Sequence, residues 1–174
     1  MTPAQRKLAH TFITSGLSRE GASRATNVMF LEKILYEREN HSPTRDPDAY
    51  FFSIFGDPSV GSVWGWRLEG HHLSLNFTLQ NGKVISGTPA FFGTNPAQVK
   101  EGAYRGLHVL AAEELLGRQL LGLFTGEARE RILLNVEAPA DIFTAASREA
   151  EMSILGGVAA AEMNQQQARI LWKL

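Results

Sequence analysis

Trp64-Gly-Trp-Arg-Leu-Glu-Gly-His-His-Leu-Ser-Leu-Asn-Phe77 is the stretch whose reading decides the fold. Side chains alternate across a sheet, so the apolar positions of one straight strand share a parity. Here Trp64, Trp66 and Leu68 are even, whereas Leu73, Leu75, Phe77 and, just beyond, Leu79 are odd. The parity flips near Glu69-Gly70, and a two-residue hairpin turn there would bring both sets to one face. That turn puts Leu68 opposite His71, Trp66 opposite Leu73 and Trp64 opposite Leu75. On the other face Arg67 is expected opposite His72, Gly65 opposite Ser74 and Val63 opposite Asn76.

The alternation extends outward from this hairpin. Tyr50-Phe-Phe-Ser-Ile-Phe55, bounded by Gly56-Asp-Pro58, reads as a preceding strand. Asn81-Gly82 is a strong hairpin signal and leads into a strand from Lys83 to Phe92. Helices flank the strands. Thr2 before Pro3 opens one that runs to about Ser15 and stops at Gly16. A second runs from Ser18 to about Glu39, with Ala25, Val28, Met29, Leu31, Ile34 and Leu35 at mostly three- and four-residue spacing. Leu107, Leu110, Ala111, Leu115, Leu120, Leu121 and Phe124 mark a long apolar helix, expected to be buried on more than one side and to cover the sheet. Thr125 opens a shorter helix through Leu134, and Met163-Asn-Gln-Gln-Gln-Ala-Arg-Ile170 echoes the capping chemistry of Met1-Thr-Pro-Ala-Gln-Arg-Lys-Leu8.

The expected fold class is therefore α+β, an antiparallel meander of about four strands packed against helices from both ends of the chain. It is read as a single domain, helical over 1–39, a meander over 49–92 and mostly helical over 95–174. Leu171-Trp-Lys-Leu174 falls within an apolar helical pattern that has no cap, which reads as a domain incomplete at its C-terminus.

Composition excludes several classes of function. With 17 Lys and Arg against 18 Asp and Glu, the chain has no basic field to attract nucleic acid or anionic lipid. It has no Cys, so disulfides, iron–sulfur clusters and thiolate chemistry are ruled out, and any metal needs His, Asp, Glu or Asn ligands. No apolar run reaches membrane-spanning length, and the N-terminus opens a helix where a signal peptide would carry its apolar region. A soluble protein, cytoplasmic by default, is expected; the oligomeric state is left open.

The polar face of the hairpin gathers the chemistry. Gly65 and, across the Asn81-Gly82 turn, Gly87 would floor a shallow trough edged by Arg67, His72, Ser74, Asn76 and Thr78, since strand glycines often mark close approach of a ligand. His72, beside Arg67, is expected as a neutral imidazole able to accept a proton or ligate a metal. His71 points to the opposite face of a regular strand, so the two imidazoles share a ligand only if the turn twists them together. Two readings stand. In the first the chain is a metal-assisted or acid–base enzyme acting on a small molecule. His72 and Asn76 are then catalytic, Arg67, Ser74 and His71 bind substrate, and a His-ligated divalent metal is a candidate cofactor. In the second the hairpin belongs to a non-catalytic ligand-binding or scaffolding domain.

Several segments carry a family resemblance. Met1-Thr-Pro-Ala-Gln-Arg-Lys-Leu-Ala-His10, Arg45-Asp-Pro-Asp-Ala-Tyr50, the fourteen residues from Trp64 to Phe77, Phe91-Phe-Gly-Thr-Asn-Pro96 and Gly106-Leu-His-Val-Leu-Ala-Ala-Glu-Glu114 resemble the family called Domain of Unknown Function 3500. The likeness covers nearly the whole chain and is most specific at Gly-His-His-Leu-Ser-Leu-Asn. It brings no mechanism. It implies members that are longer at both ends, with a C-terminal part rich in His, Tyr, Asn and Asp that would complete a site begun at the hairpin.

Overall fold

The computed structural model describes every residue except 1, 60, 145, 146, 148 and 150–155. The chain divides into two compact units, Met1–Leu110 and Ala111–Leu174. The first is α+β. Helices α1 (Pro3–Gly16) and α2 (Arg19–Arg38) precede an antiparallel sheet of β1 (Tyr50–Phe55), β2 (Val63–Gly70), β3 (Leu73–Gln80), β4 (Lys83–Ser86) and β5 (Ala90–Phe92). Strands β1 to β4 lie side by side in chain order, and β5 also pairs with β3.

Local chemistry accounts for the element ends. The Thr2 hydroxyl accepts from the Gln5 N–H at 3.3 Å, while the Gln5 side chain accepts from the Thr2 N–H at 2.8 Å, so two amides at the start of α1 are satisfied reciprocally. Ser18 caps α2 through the Gly21 N–H at 3.1 Å. Asn81 and Gly82 both have positive φ, as a two-residue hairpin of the primed type requires. The segment expected as one strand from Lys83 to Phe92 is two, because Pro89 has no N–H to give to a ladder. β4 pairs with Thr78–Gln80 and β5 with Leu73–Leu75.

The hairpin turns two residues later than its sequence suggests. Leu68 lies opposite Leu75, Arg67 opposite Asn76, Trp66 opposite Phe77, Gly65 opposite Thr78 and Val63 opposite Gln80, leaving His71 and His72 as the turn. The expected pairs Leu68 with His71, Arg67 with His72 and Gly65 with Ser74 are thereby corrected. The reason lies in β1. Tyr50 and Phe51 pair with Gly70 and Glu69, so those two residues are held in the sheet and are not free to turn. The Tyr50 ring lies on Gly70, where a Cβ would overlap it, and the Tyr50 hydroxyl donates to the His71 carbonyl at 3.0 Å. His72 takes φ of 61°, a left-handed conformation for which His is among the more tolerant residues. A shift of two preserves every face, so the expected apolar parity stands.

That face builds the core. Trp66, Leu68, Leu73, Leu75 and Phe77 pack on Ile13 of α1 and on Ala22, Ala25 and Val28 of α2. The Trp66 indole stacks on Phe77 with centroids 4.4 Å apart and meets Phe12 at 4.7 Å. Gly16 lies against the indole, where a Cβ would collide with it. A smaller cluster of Leu31, Ile34 and Val99 anchors the segment after β5, in which the Val99 N–H donates to the Leu107 carbonyl at 2.9 Å.

The second unit contains α3 (Ala111–Gly122), α4 (Gly126–Ile132) and α5 (Gln165–Lys173). The helix expected from Leu107 starts later, since Leu107 is engaged with Val99, and none of the α3 residues is buried. Asn164 and Gln167 form a second reciprocal cap, the counterpart of Thr2 and Gln5. The buried Gln167 side chain also donates to the Leu123 carbonyl at 3.1 Å. Arg131 grips Glu162 through two bonds of 2.9 and 3.2 Å; this hydrogen bonding, with the Ala159 N–H, holds the Glu162 carboxyl below the usual carboxylate range.

Trp66→Ala is expected to lower stability by about 3–5 kcal/mol, the cost typical of emptying an aromatic core position. Gly16→Val is expected to destabilise through the same ring. Urea unfolding of the two single variants and the double variant checks this: shared contact predicts that the second change costs less once the indole is gone.

Candidate functional site

The polar face of the sheet carries one connected network. Arg67 Nε donates to Asn76 Oδ1 at 2.8 Å, and its Nη1 lies 3.5 Å from Glu69 Oε2. The Asn76 amide donates to the Pro89 carbonyl at 2.9 Å and reaches Ser74 Oγ at 3.5 Å. Three of the expected site residues, Arg67, Ser74 and Asn76, are thus brought together. Around them stand exposed apolar side chains, Phe51, Phe55, Val63 and Phe91, and the Arg67 guanidinium lies 5.5 Å from the centre of the Phe55 ring. Gly65 sits between Phe55 and Thr78 in an open hollow. Gly87 does not share that floor: it lies beside the Phe77 ring, on the core side.

His71 and His72 sit apart from this network, at the end of the hairpin. Their rings stack with centroids 4.0 Å apart and planes 30° apart. The turn therefore does what a straight strand could not and brings the two imidazoles together. With Arg67 opposite Asn76, the expected pairing of His72 with a guanidinium disappears.

Glu32, absent from the residues expected to form the site, completes the arrangement. It projects from α2 among Val28, Leu31 and Leu35, is 3 % exposed, and its carboxylate pairs with His71 Nδ1. The His71 side chain is 35 % exposed, so the ring spans from a buried acid to solvent. A signal for Glu32 exists in the sequence: positions 25, 28, 32 and 35 form one stripe of α2, and an acid on such a stripe needs a partner. Nearby, a hydrogen bond from Arg45 holds the Glu39 carboxyl below its ordinary range, with Arg45 Nε 2.9 Å from Glu39 Oε2. Asp48 is likewise held low, by its hydrogen bond to Arg6.

The chemistry available at the turn follows from the pair. An ionised carboxylate only accepts hydrogen bonds, so the neutral imidazole carries its proton on Nδ1 and its lone pair on Nε2. A carboxylate bound at one nitrogen fixes the tautomer and the orientation of the ring. Among the described residues no group of three His, Cys, Asp or Glu side chains converges as a metal site, and no helix is long and apolar enough to cross a membrane.

The family model described as "Protein of unknown function (DUF3500)" matches residues 1–174. The chain belongs to this family. No curated protein and no solved structure matches it. Membership in DUF3500 names no reaction, so the chemistry of its Gly-His-His turn rests on geometry alone.

Tyr50 offers a test of that geometry. Burial, and then the negative charge of Glu32, push its phenol above the ordinary tyrosine range. An unfolded tyrosine ionises near pH 10, so the stability linked to this raised value is complete below about pH 10 and is lost as the pH rises beyond it. Tyr50→Phe, which keeps the ring but loses the bond to His71, is expected to cost about 0.5–1.5 kcal/mol at pH 7. The gap between variant and wild type should then narrow above about pH 10 in unfolding titrations.

Proposed function

We propose that the chain carries an acid–base centre acting on a small molecule, with His71 as the proton-transferring group and Glu32 as its orienting carboxylate. One observation carries the reading: a nearly inaccessible carboxylate on α2 grips one nitrogen of an imidazole whose ring extends to solvent. A surface histidine needs no such support, whereas a base that must present Nε2 in one direction does. His72, stacked on the ring, limits its rotation. Arg67, Asn76 and Ser74 form a polar face on the same hairpin that is suited to holding a substrate's polar groups. Proton transfer is the form of chemistry these residues support best, because they do not supply a third converging metal ligand.

A second reading has its own observation. Tyr50 and Glu32 both bind His71, one through its carbonyl and one through its ring, and the hollow enclosed by Leu31, Glu32, His72 and Asn95 leaves no space for a water-sized group. The same pair would then be a structural pin between α2 and the hairpin, as in a non-catalytic scaffold.

Hydrolysis of p-nitrophenyl acetate, measured alongside urea unfolding, separates the two. The acid–base reading expects turnover above the buffer rate, lowered about a hundredfold in His71→Ala and reduced in Glu32→Gln, which keeps an acceptor for Nδ1 but removes the charge. Wild-type turnover in both variants, together with lowered unfolding midpoints, would leave only the pin.

A further inference from the structure

We propose a second small-molecule site, distinct from the hairpin: a cavity between α1, α2 and the start of β1 that binds an organic carboxylate with a short apolar or aromatic body. The two helices build it with the same spacing. Arg6, Ala9, His10 and Ile13 on α1, and Thr26, Met29, Phe30 and Lys33 on α2, each stand at i, i+3, i+4 and i+7, which places each set along one helical face. Both sets line the cavity, with Phe52 and Tyr50 of β1 and Asp48 just before it. Its volume is about 300 Å³, at the lower end of the range typical of small-molecule sites.

The lining sorts by chemistry. Ile13, Met29 and Phe52 provide an apolar wall. Arg6, His10, Lys33 and Asp48 provide the polar groups. Arg6 is already committed to Asp48 by a two-point grip, one bond of which is 2.6 Å, so those two charges cancel locally. Lys33 forms no ion pair among the described residues. One positive charge therefore stays uncompensated at an apolar cavity, and the His10 ring in the same lining adds a hydrogen-bonding group. A monoanion with an apolar body complements this arrangement: the carboxylate meets Lys33 and His10, and the body displaces water from the half-buried Met29 and Phe52. A neutral ligand would leave the charge unanswered, and an inorganic anion would leave the wall wet.

The test is calorimetric titration of the full chain with benzoate, beside benzyl alcohol and inorganic phosphate. Saturable benzoate binding, with both comparison probes clearly weaker, is the expected result. Lys33→Met, at an exposed position of α2, should weaken benzoate about tenfold, and Ala9→Trp should abolish binding by filling the space. His71→Ala should bind benzoate as the wild type does, since the site is separate. Absence of saturable binding, equal affinity for benzyl alcohol or phosphate, or unchanged affinity in Lys33→Met would overturn the proposal. So would loss of binding in His71→Ala with the fold retained. Lys33→Met decides the matter even if Ala9→Trp fails to fold.

Discussion

Two residues, His71 and His72, reverse the chain between β2 and β3, and the even length of that reversal is the constraint on which the first unit depends. An odd loop would turn every side chain of one strand to the opposite face. With two residues, Trp66 and Leu68 share a face with Leu73, Leu75 and Phe77, and α1 and α2 have one continuous apolar surface to cover. What pins the turn at these two positions is β1. Its pairing with Glu69 and Gly70, the Tyr50 ring on Gly70 and the Tyr50 hydroxyl on the His71 carbonyl leave the chain no earlier place to reverse.

The same turn explains why α2 tolerates an acid on its apolar stripe. A carboxylate removed from water costs several kcal/mol unless it is bound. Glu32 is 3 % exposed, and the imidazole of His71 is the partner that offsets that cost. The turn and the buried acid each depend on the other: without the helix His71 would be an ordinary surface ring, and without the turn Glu32 would be a buried carboxylate without this hydrogen-bond partner. The polar face obeys a different logic. There Arg67 is held between Asn76 and Glu69 in the open, where solvent carries much of the electrostatic load.

Much of the fold was legible in the sequence because it is written in local chemistry. β1 matches its aromatic run residue for residue, the helix starts follow Thr2 and Ser18, and parity assigned Trp66 and Arg67 to opposite faces. The exact turn was not legible, since Glu69-Gly70 has the better local turn composition and lost to a non-local partner, Tyr50. For the candidate site, Arg67, Ser74 and Asn76 were found through their shared face, and the structure links them. His71 and His72 were assigned to opposite faces by parity, and the turn that stacks their rings was not legible because the register was set two residues too early. Glu32 was missed because its meaning depends on a contact 39 residues away, which no spacing rule reports.

That separation has a consequence for how the candidate centre comes into being. Glu32 and Tyr50 reach His71 across 39 and 21 residues, from a helix and from an edge strand. Neither an isolated hairpin nor an isolated helix contains the whole of the arrangement. Its distinctive imidazole environment therefore exists only where helix and sheet are docked. A chain in which helix and sheet were apart would carry His71 and His72 without Glu32 or Tyr50, so the candidate centre is a property of the assembled unit and of no single element.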